Sequence, residues 1–400
     1  MEIIVQKFGG TSVADINRIK QVGKIIQNEI NIGRRVVVVV SAQAGVTGSL
    51  IAYCNEVSKL DRLSSLKEYD AAIASGEIIT AALLALHLQT IGLKAKSLQG
   101  WQVPFKTNNT HGNAQVKEID STKLTDLLLN NIIPIVTGFQ GLSDEGDITT
   151  LGKGGSDTSA ALIAAAVKAE RCDIYTDVDG IYTADPRIVH NAGKIDRIDI
   201  DELCVLCSSG AKVLHPRAAV AAKKYKFNLR ILSSFNPQEG TTTIIREKNM
   251  ESRQVTAITS NKNLLKVILY YRDYNLFETI KLFSQESIPI EQTYNFTKDS
   301  SIIIANLIDK NKCEKILEQL KKDSHITEYN IKADISSVSI IGYGIKNDIE
   351  FIAELTRILN NRNIDIYSMD ISDIKISFLI NDTDNETAIK LLHDFCFKPV

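Results

Sequence analysis

Four hundred residues, 44% hydrophobic and 24% charged, are enough for two to three packed domains, and a formal charge of −2 removes the broad electrostatic case for nucleic acid as principal partner. The longest apolar run near the start, VVVVV at 36–40, is far too short to span a bilayer, so no membrane partner is expected. Six scattered cysteines make no disulfide framework, and MEIIVQKFGG enters a strand at once, so a cytoplasmic location without a leader is expected.

The first element is IIVQKF at 3–8, an apolar strand that runs into Lys7, Phe8, Gly9 and Gly10 and then into a helix. A lysine at a strand end beside two glycines can set a compact positive charge over phosphate oxygens. The strand at 36–40 follows and reads as buried and parallel, leading into SAQAGVT at 41–47. Helical patterns at 70–92 and 121–130 precede the strand IIPIVTGF.

LGKGGSDTSAALIAAAVKA at 151–169 is the densest signal: three glycines and small polar residues open directly onto an Ala-rich helix. Glycines permit positive φ, and the first-turn amides carry unpaired N–H groups at the positive end of the helix dipole, so an anion fits there. A tight turn with an ordinary N-cap uses the same residues. No G-x-x-x-x-G-K-[ST] is present, and G-x-G-x-x-G fails because Asp157 stands at its third glycine.

Next come CDIYTDV, a DG turn at Asp179 and Gly180, and NLRILSS at 228–234, which complete a strand and helix alternation from 1 to about 246. That alternation predicts an α/β domain with a largely parallel sheet sandwiched by helices. Cys204 and Cys207 form a lone C-x-x-C on a helical stretch; with no second pair and no H-E-x-x-H anywhere, no protein metal site is expected.

After the polar stretch REKNMESRQ the composition shifts, and the tail reads as two β-α-β-β-α-β copies. Copy one spans 263–334. Copy two covers 335–400, but no fourth strand follows its last helix, and VTAITSN at 255–261 has the length to fill the gap. Copy one is therefore expected as an insertion within copy two, against the alternative of one irregular α+β domain. LLKVILYY and SVSIIGYG carry few charges and are expected as sheet edges that pair between chains, giving a homodimer through residues 255–400.

KFGGTSV, SAQAGVT, SGE, TTLGKGGSDTSA, TDVDGIYTADPR and GAKVLHPRA occur in the order found in aspartate kinases, the aspartokinase branch of the amino-acid-kinase fold, and the tail copies resemble tandem ferredoxin-like ACT units. The resemblance covers essentially the whole chain. It implies ATP-dependent phosphorylation of the β-carboxylate of L-aspartate to 4-phospho-L-aspartate, the step that opens lysine, diaminopimelate, threonine and methionine biosynthesis. It also implies Mg2+, held mainly by phosphates and water, and an amino-acid effector, lysine or threonine. Rival readings are a related kinase for glutamate, acetylglutamate or UMP, and a silent amino-acid sensor.

Carried over residue by residue, Lys7 and Asp157 are the catalytic candidates. Lys7, Phe8, Gly9, Gly10, Ser41, Thr176, Asp177, Tyr182, Arg187 and Lys212 match the ATP side, with Tyr182 suited to flank adenine. Thr47, Glu77, Lys153, Gly154, Gly155 and Ser156 match the substrate side, where Glu77 meets the aspartate ammonium. Asn295, Ser372, Asp373, Ile374 and Lys375 are the effector candidates. Two departures stand out. The family usually carries arginine at Lys153, and a guanidinium fork grips a carboxylate bidentately where an ammonium offers a point charge. The turns YRDYNLF and IKNDIEF lack the glycine pattern that normally brings amides to an effector.

Overall fold

A computed structural model describes residues 2–60, 62–244, 254–272, 276–286, 288–294, 297 and 299–397. Two compact units emerge. The first comprises Met1–Ile181, Lys194–Ser208 and Lys212–Glu247; the second comprises Tyr182–Gly193, Ser209–Ala211 and Lys248–Val400. A single cut near 246 therefore misplaces Tyr182–Gly193. Within the second unit that segment gives Ala184 and Val189 to an apolar cluster with Ile258 and Val338, and the Thr183 carbonyl accepts from the Ile258 amide at 2.7 Å.

The first unit is built on an eight-stranded sheet among the described residues. From the middle outward, Arg171–Thr176, Ile3–Phe8, Arg35–Val40 and Ile133–Thr137 are successive parallel neighbours. Each residue from Val36 to Val40 is buried, as expected for a strand covered on both faces. The helix Ile16–Asn31 starts at Asp15, whose side chain accepts from the Arg18 amide, and turns Ile19, Val22, Ile25 and Ile26 onto the sheet. Burying such side chains contributes roughly 1.5–3 kcal/mol each. A smaller four-stranded sheet holds Ile148–Thr150 at one edge.

The helical pattern at 70–92 is interrupted. Leu63–Ile73 and Ser75–Thr90 are separate helices that meet at Ala74, which sets Glu77 in the first turn of the second. Together they are long and apolar enough to cross a membrane by length and composition. Yet Ala81, Leu84, Ala85 and Leu88 pack in the core with Ile4, Val22 and Val38, the behaviour of a core helix.

In the second unit one six-stranded sheet runs Gln292–Tyr294, Ser300–Asn306, Gln254–Tyr271, Ile326–Tyr343, Lys375–Asn381, Ser368–Ser372, all antiparallel. Its two central strands are 18 residues each. Residues 254–261 pair with 337–343, and 264–271 with 326–335, so each long strand serves both halves of the sheet. This corrects the edge assignment. LLKVILYY and SVSIIGYG lie inside the sheet, where their backbone groups are satisfied by neighbours on both sides, and the edges are Gln292–Tyr294 and Ser368–Ser372.

Candidate active site

The carboxyl ends of the parallel strands lie in register. Phe8 faces Val40 on one side and Tyr175 on the other, Val40 pairs with Thr137, and Thr176 with Ser233. Beyond this row the chain turns at Gly9, Ser41 and Gly138, whose amides donate to the Tyr175, Phe8 and Val40 carbonyls at 3.1, 3.1 and 2.9 Å. Gly10 and the 41–47 turn pack against each other: the Ala44 amide donates to the Gly10 carbonyl at 3.2 Å. A Cβ at Gly10 would lie 3.0 Å from the Ala42 carbonyl oxygen.

Lys7, near the end of its strand, reaches Asp157 in the first turn of the helix Gly155–Ala166, with Nζ 2.7 Å from Oδ1. The two side chains are 10% and 14% exposed. An ion pair this dry gives up most of its hydration, so its stabilising value is small and a chemical role is the better account of it. The other Asp157 oxygen accepts from the His215 amide at 3.3 Å.

Glu77 is 3% exposed; its Oε1 accepts from the Ala42 amide at 3.0 Å while Oε2 has no hydrogen-bond partner among the described residues. Burial pushes its carboxyl up to about 7, and the Ala42 amide opposes that only in part. A buried carboxylate oxygen without a donor is an acceptor that the protein itself leaves unmet.

The other sequence candidates divide. Ser41 follows the Arg35–Val40 strand and Thr47 lies in the first turn of Val46–Val57; both are half-buried. Gly155 and Ser156 are buried, Lys153 is exposed beside them, and Gly154 caps the helix at φ 70. Thr176 ends its strand and bonds the Asp177 carboxylate at 3.0 Å. Lys212 sits exposed in the turn before Pro216–Tyr225. Tyr182 and Arg187 cluster with the second unit, and the Arg187 guanidinium is held by Asp185 at 2.6–3.2 Å.

Ser372, Asp373, Ile374 and Lys375 form the hairpin at the Ser368–Ser372 edge, with Lys346 on Asp373 and Lys375 on Asp370, each at 2.9 Å. Asn295 lies outside the described residues. In copy two, where no turn glycine is expected, Gly344 at φ 71 stands immediately before IKNDIEF, and the Asp348 side chain caps the next helix at the Phe351 amide.

No three metal-ligating side chains converge among the described residues. The Cys204 thiol is pushed up by burial to about 11 and that of Cys207 higher still, so both are neutral and poor ligands. With one Asp157 oxygen on Lys7, the donor set fits a magnesium ion carried chiefly on phosphates and water.

Sequence reasoning missed two neighbours of the glycine loop. His215 and Arg217 belong to GAKVLHPRA, where the proline at the first helical position was the visible signal.

The amino acid kinase family matches residues 2–233 and the ACT domain matches residues 338–395. An aspartokinase of Rickettsia felis is 48% identical over 98% of this chain and 99% of its own length. The chain belongs to the aspartokinase family. Aspartokinase 2 of Bacillus subtilis, another member, is 36% identical over 98% and 97% of the two chains. Among solved structures, E. coli aspartokinase III in complex with aspartate and ADP superposes with a TM-score of 0.86 at 25% identity, covering 99% of this chain and all of that one.

Proposed function

We infer that the chain transfers the γ-phosphoryl group of ATP to the β-carboxylate of L-aspartate, giving 4-phospho-L-aspartate, the first step toward lysine, diaminopimelate, threonine and methionine. The observation that carries this is the nearly dry pair between Lys7, near the carboxyl end of a parallel strand, and Asp157, in the first turn of a helix, in a unit that also buries the half-satisfied carboxylate of Glu77. Acyl phosphate formation needs no side-chain nucleophile. A carboxylate oxygen attacks phosphorus directly, so the protein must align two anions that repel and neutralise the charge that builds up.

Lys7 supplies that positive charge and Asp157 fixes its ammonium. The Gly10 amide and the Ser41 hydroxyl receive phosphate oxygens, with Gly9, whose own amide stays on the Tyr175 carbonyl, allowing the close approach. Glu77 takes the aspartate ammonium, and Lys153, Ser156 and the 154–155 backbone take its carboxylates, with Thr47 alongside. Thr176, Asp177 and Lys212 serve the nucleotide. Mg2+, when bound to the phosphates, offsets part of their charge.

Several finer features belong to the same reading. The kinase portion is assigned to 1–246 without the 182–193 segment, with one ACT unit at 263–334 and the other at 255–262 plus 335–400. A homodimer forms through the second unit, with lysine or threonine as effector at the Ser372–Lys375 hairpin. Six free thiols suit a reducing cytoplasm.

The test is a purified-enzyme assay with ATP, Mg2+ and a panel of aspartate, glutamate, acetylglutamate and UMP, following ADP release for every acceptor and trapping acyl phosphate from the three carboxylates with hydroxylamine. Aspartyl hydroxamate from aspartate alone is expected; turnover confined to another acceptor refutes the reading.

A further inference from the structure

GAKVLHPRA supplies a motif that the reaction chemistry leaves unused beyond Lys212. Residues 215–217 touch the glycine loop at three points. The His215 amide donates to Asp157 Oδ2 at 3.3 Å. Its ring lies over Gly154, where a Cβ would fall 2.3 Å from ring carbon, so the loop closes on His215 only with glycine there. Arg217 donates from one terminal nitrogen to the Leu151 carbonyl at 2.9 Å and from the other to the Ala114 carbonyl at 3.1 Å. Pro216 opens the following helix and fixes the backbone between these contacts.

Arg217 is half-buried, and among the described residues it has no carboxylate partner; burial lowers its pKa with nothing to offset it. A guanidinium desolvated to hold two backbone carbonyls is a weak stability device, because an unpaired charge loses hydration without a counter-ion in return. What it does achieve is geometric. Its planar fork fixes the distance between residues 114 and 151. From the other side the buried Asp70 carboxylate accepts from Thr150 Oγ1 at 2.5 Å and from the Gly112 amide at 3.0 and 3.1 Å, and the Ala114 amide donates to the Thr150 carbonyl at 2.8 Å. The entry to the loop is thus held on two sides and its exit by His215.

We propose that residues 215–217 are the mould on which the 151–157 loop is set, and that Arg217 is a positioning residue that keeps Lys153 and Asp157 in reacting geometry. This rests on the assignment of that loop to the substrate side of the kinase site.

Full-length Arg217→Met, which keeps the stem and removes the donors, and Arg217→Lys, which keeps one charge, separate positioning from support. In Arg217→Met the KM for aspartate rises about tenfold and kcat falls, while the KM for ATP stays within about twofold, because the turn at Gly9 and Gly10 follows a different strand and is not held by Arg217. Arg217→Lys falls between the two. Amide hydrogen exchange over 151–157 accelerates in Arg217→Met while Ile3–Phe8 stays protected. A kcat loss with both KM values unchanged, or unaltered exchange in the loop, overturns the proposal. Should the methionine variant fail to fold, the lysine variant is judged by the same two readouts. A parent enzyme that forms no aspartyl hydroxamate refutes the functional reading instead, and the exchange measurement still decides the role of Arg217.

Discussion

Glu77→Gln tests the electrostatics of the site through stability as well as activity. A folded value of about 7 against an ordinary 4.5 means that the folded protein holds this proton more tightly than the unfolded chain does. Stability linked to Glu77 is therefore fully present below pH 4.5 and is lost as pH rises to about 7. The whole gap corresponds to about 3 kcal/mol, and about 2 to 3 kcal/mol of it falls between pH 5 and pH 8. Glutamine keeps an oxygen for the Ala42 amide and carries no charge, so it lacks this loss. Its own burial penalty is the same at both pH values and cancels in the comparison. Urea unfolding of the two proteins at pH 5 and pH 8, without aspartate, should show the variant gaining on the wild type by that amount at the higher pH. Adding aspartate should recover stability in the wild type alone, since only a carboxylate pairs with the substrate ammonium. In activity, kcat/KM for aspartate in the wild type should rise through pH 7 as Glu77 ionises, and the variant should be nearly inactive. Parallel pH–stability curves for the two proteins would show that burial does not govern this carboxyl.

Three further outcomes are expected. Lys7→Ala and Asp157→Asn each lose most phosphoryl transfer, a fall of about 10²-fold or more in kcat; each also melts lower, because removing one member of a dry pair strands the other. The double variant Lys7→Met/Asp157→Leu should regain the melting temperature and stay inactive, and a double variant with near-parental turnover would sink the catalytic assignment. Lys153→Arg should leave the KM for aspartate unchanged or lower it, since a fork replaces a point charge at the substrate carboxylate; steady-state kinetics with a large loss of kcat/KM would show that the loop has repacked around lysine. Ile371→Lys, on the edge strand where Met369 and Ile371 are 42% and 37% exposed, should turn a dimer into a monomer by light scattering; an unchanged mass places the contact between copies elsewhere.

How much of this was legible in the sequence depends on the range of the interaction that decides each feature. Short-range rules carried far: the apolar runs at 3–8 and 36–40 and the glycine turns after them locate the strand ends, because a turn there depends on residues adjacent in the chain. The break at Ala74 was not legible, since SGEIITAALLALHLQT and the residues before it share one helical period, with no proline or other breaker between them. The sheet edges were misread for a related reason. Low charge on LLKVILYY and SVSIIGYG fits a buried strand as well as an undefended edge, and pairing between residues some 70 positions apart decides which. The same distinction separates Lys7 from Arg217. Lys7 announces itself by the two glycines that follow, whereas Arg217 acts on carbonyls 66 and 103 residues away, and backbone oxygens leave no residue type to recognise. A side chain that positions a loop through its backbone is therefore invisible to motif chemistry even when its motif is plain. In this family member the reacting residues were accordingly easier to read than the ones that hold them.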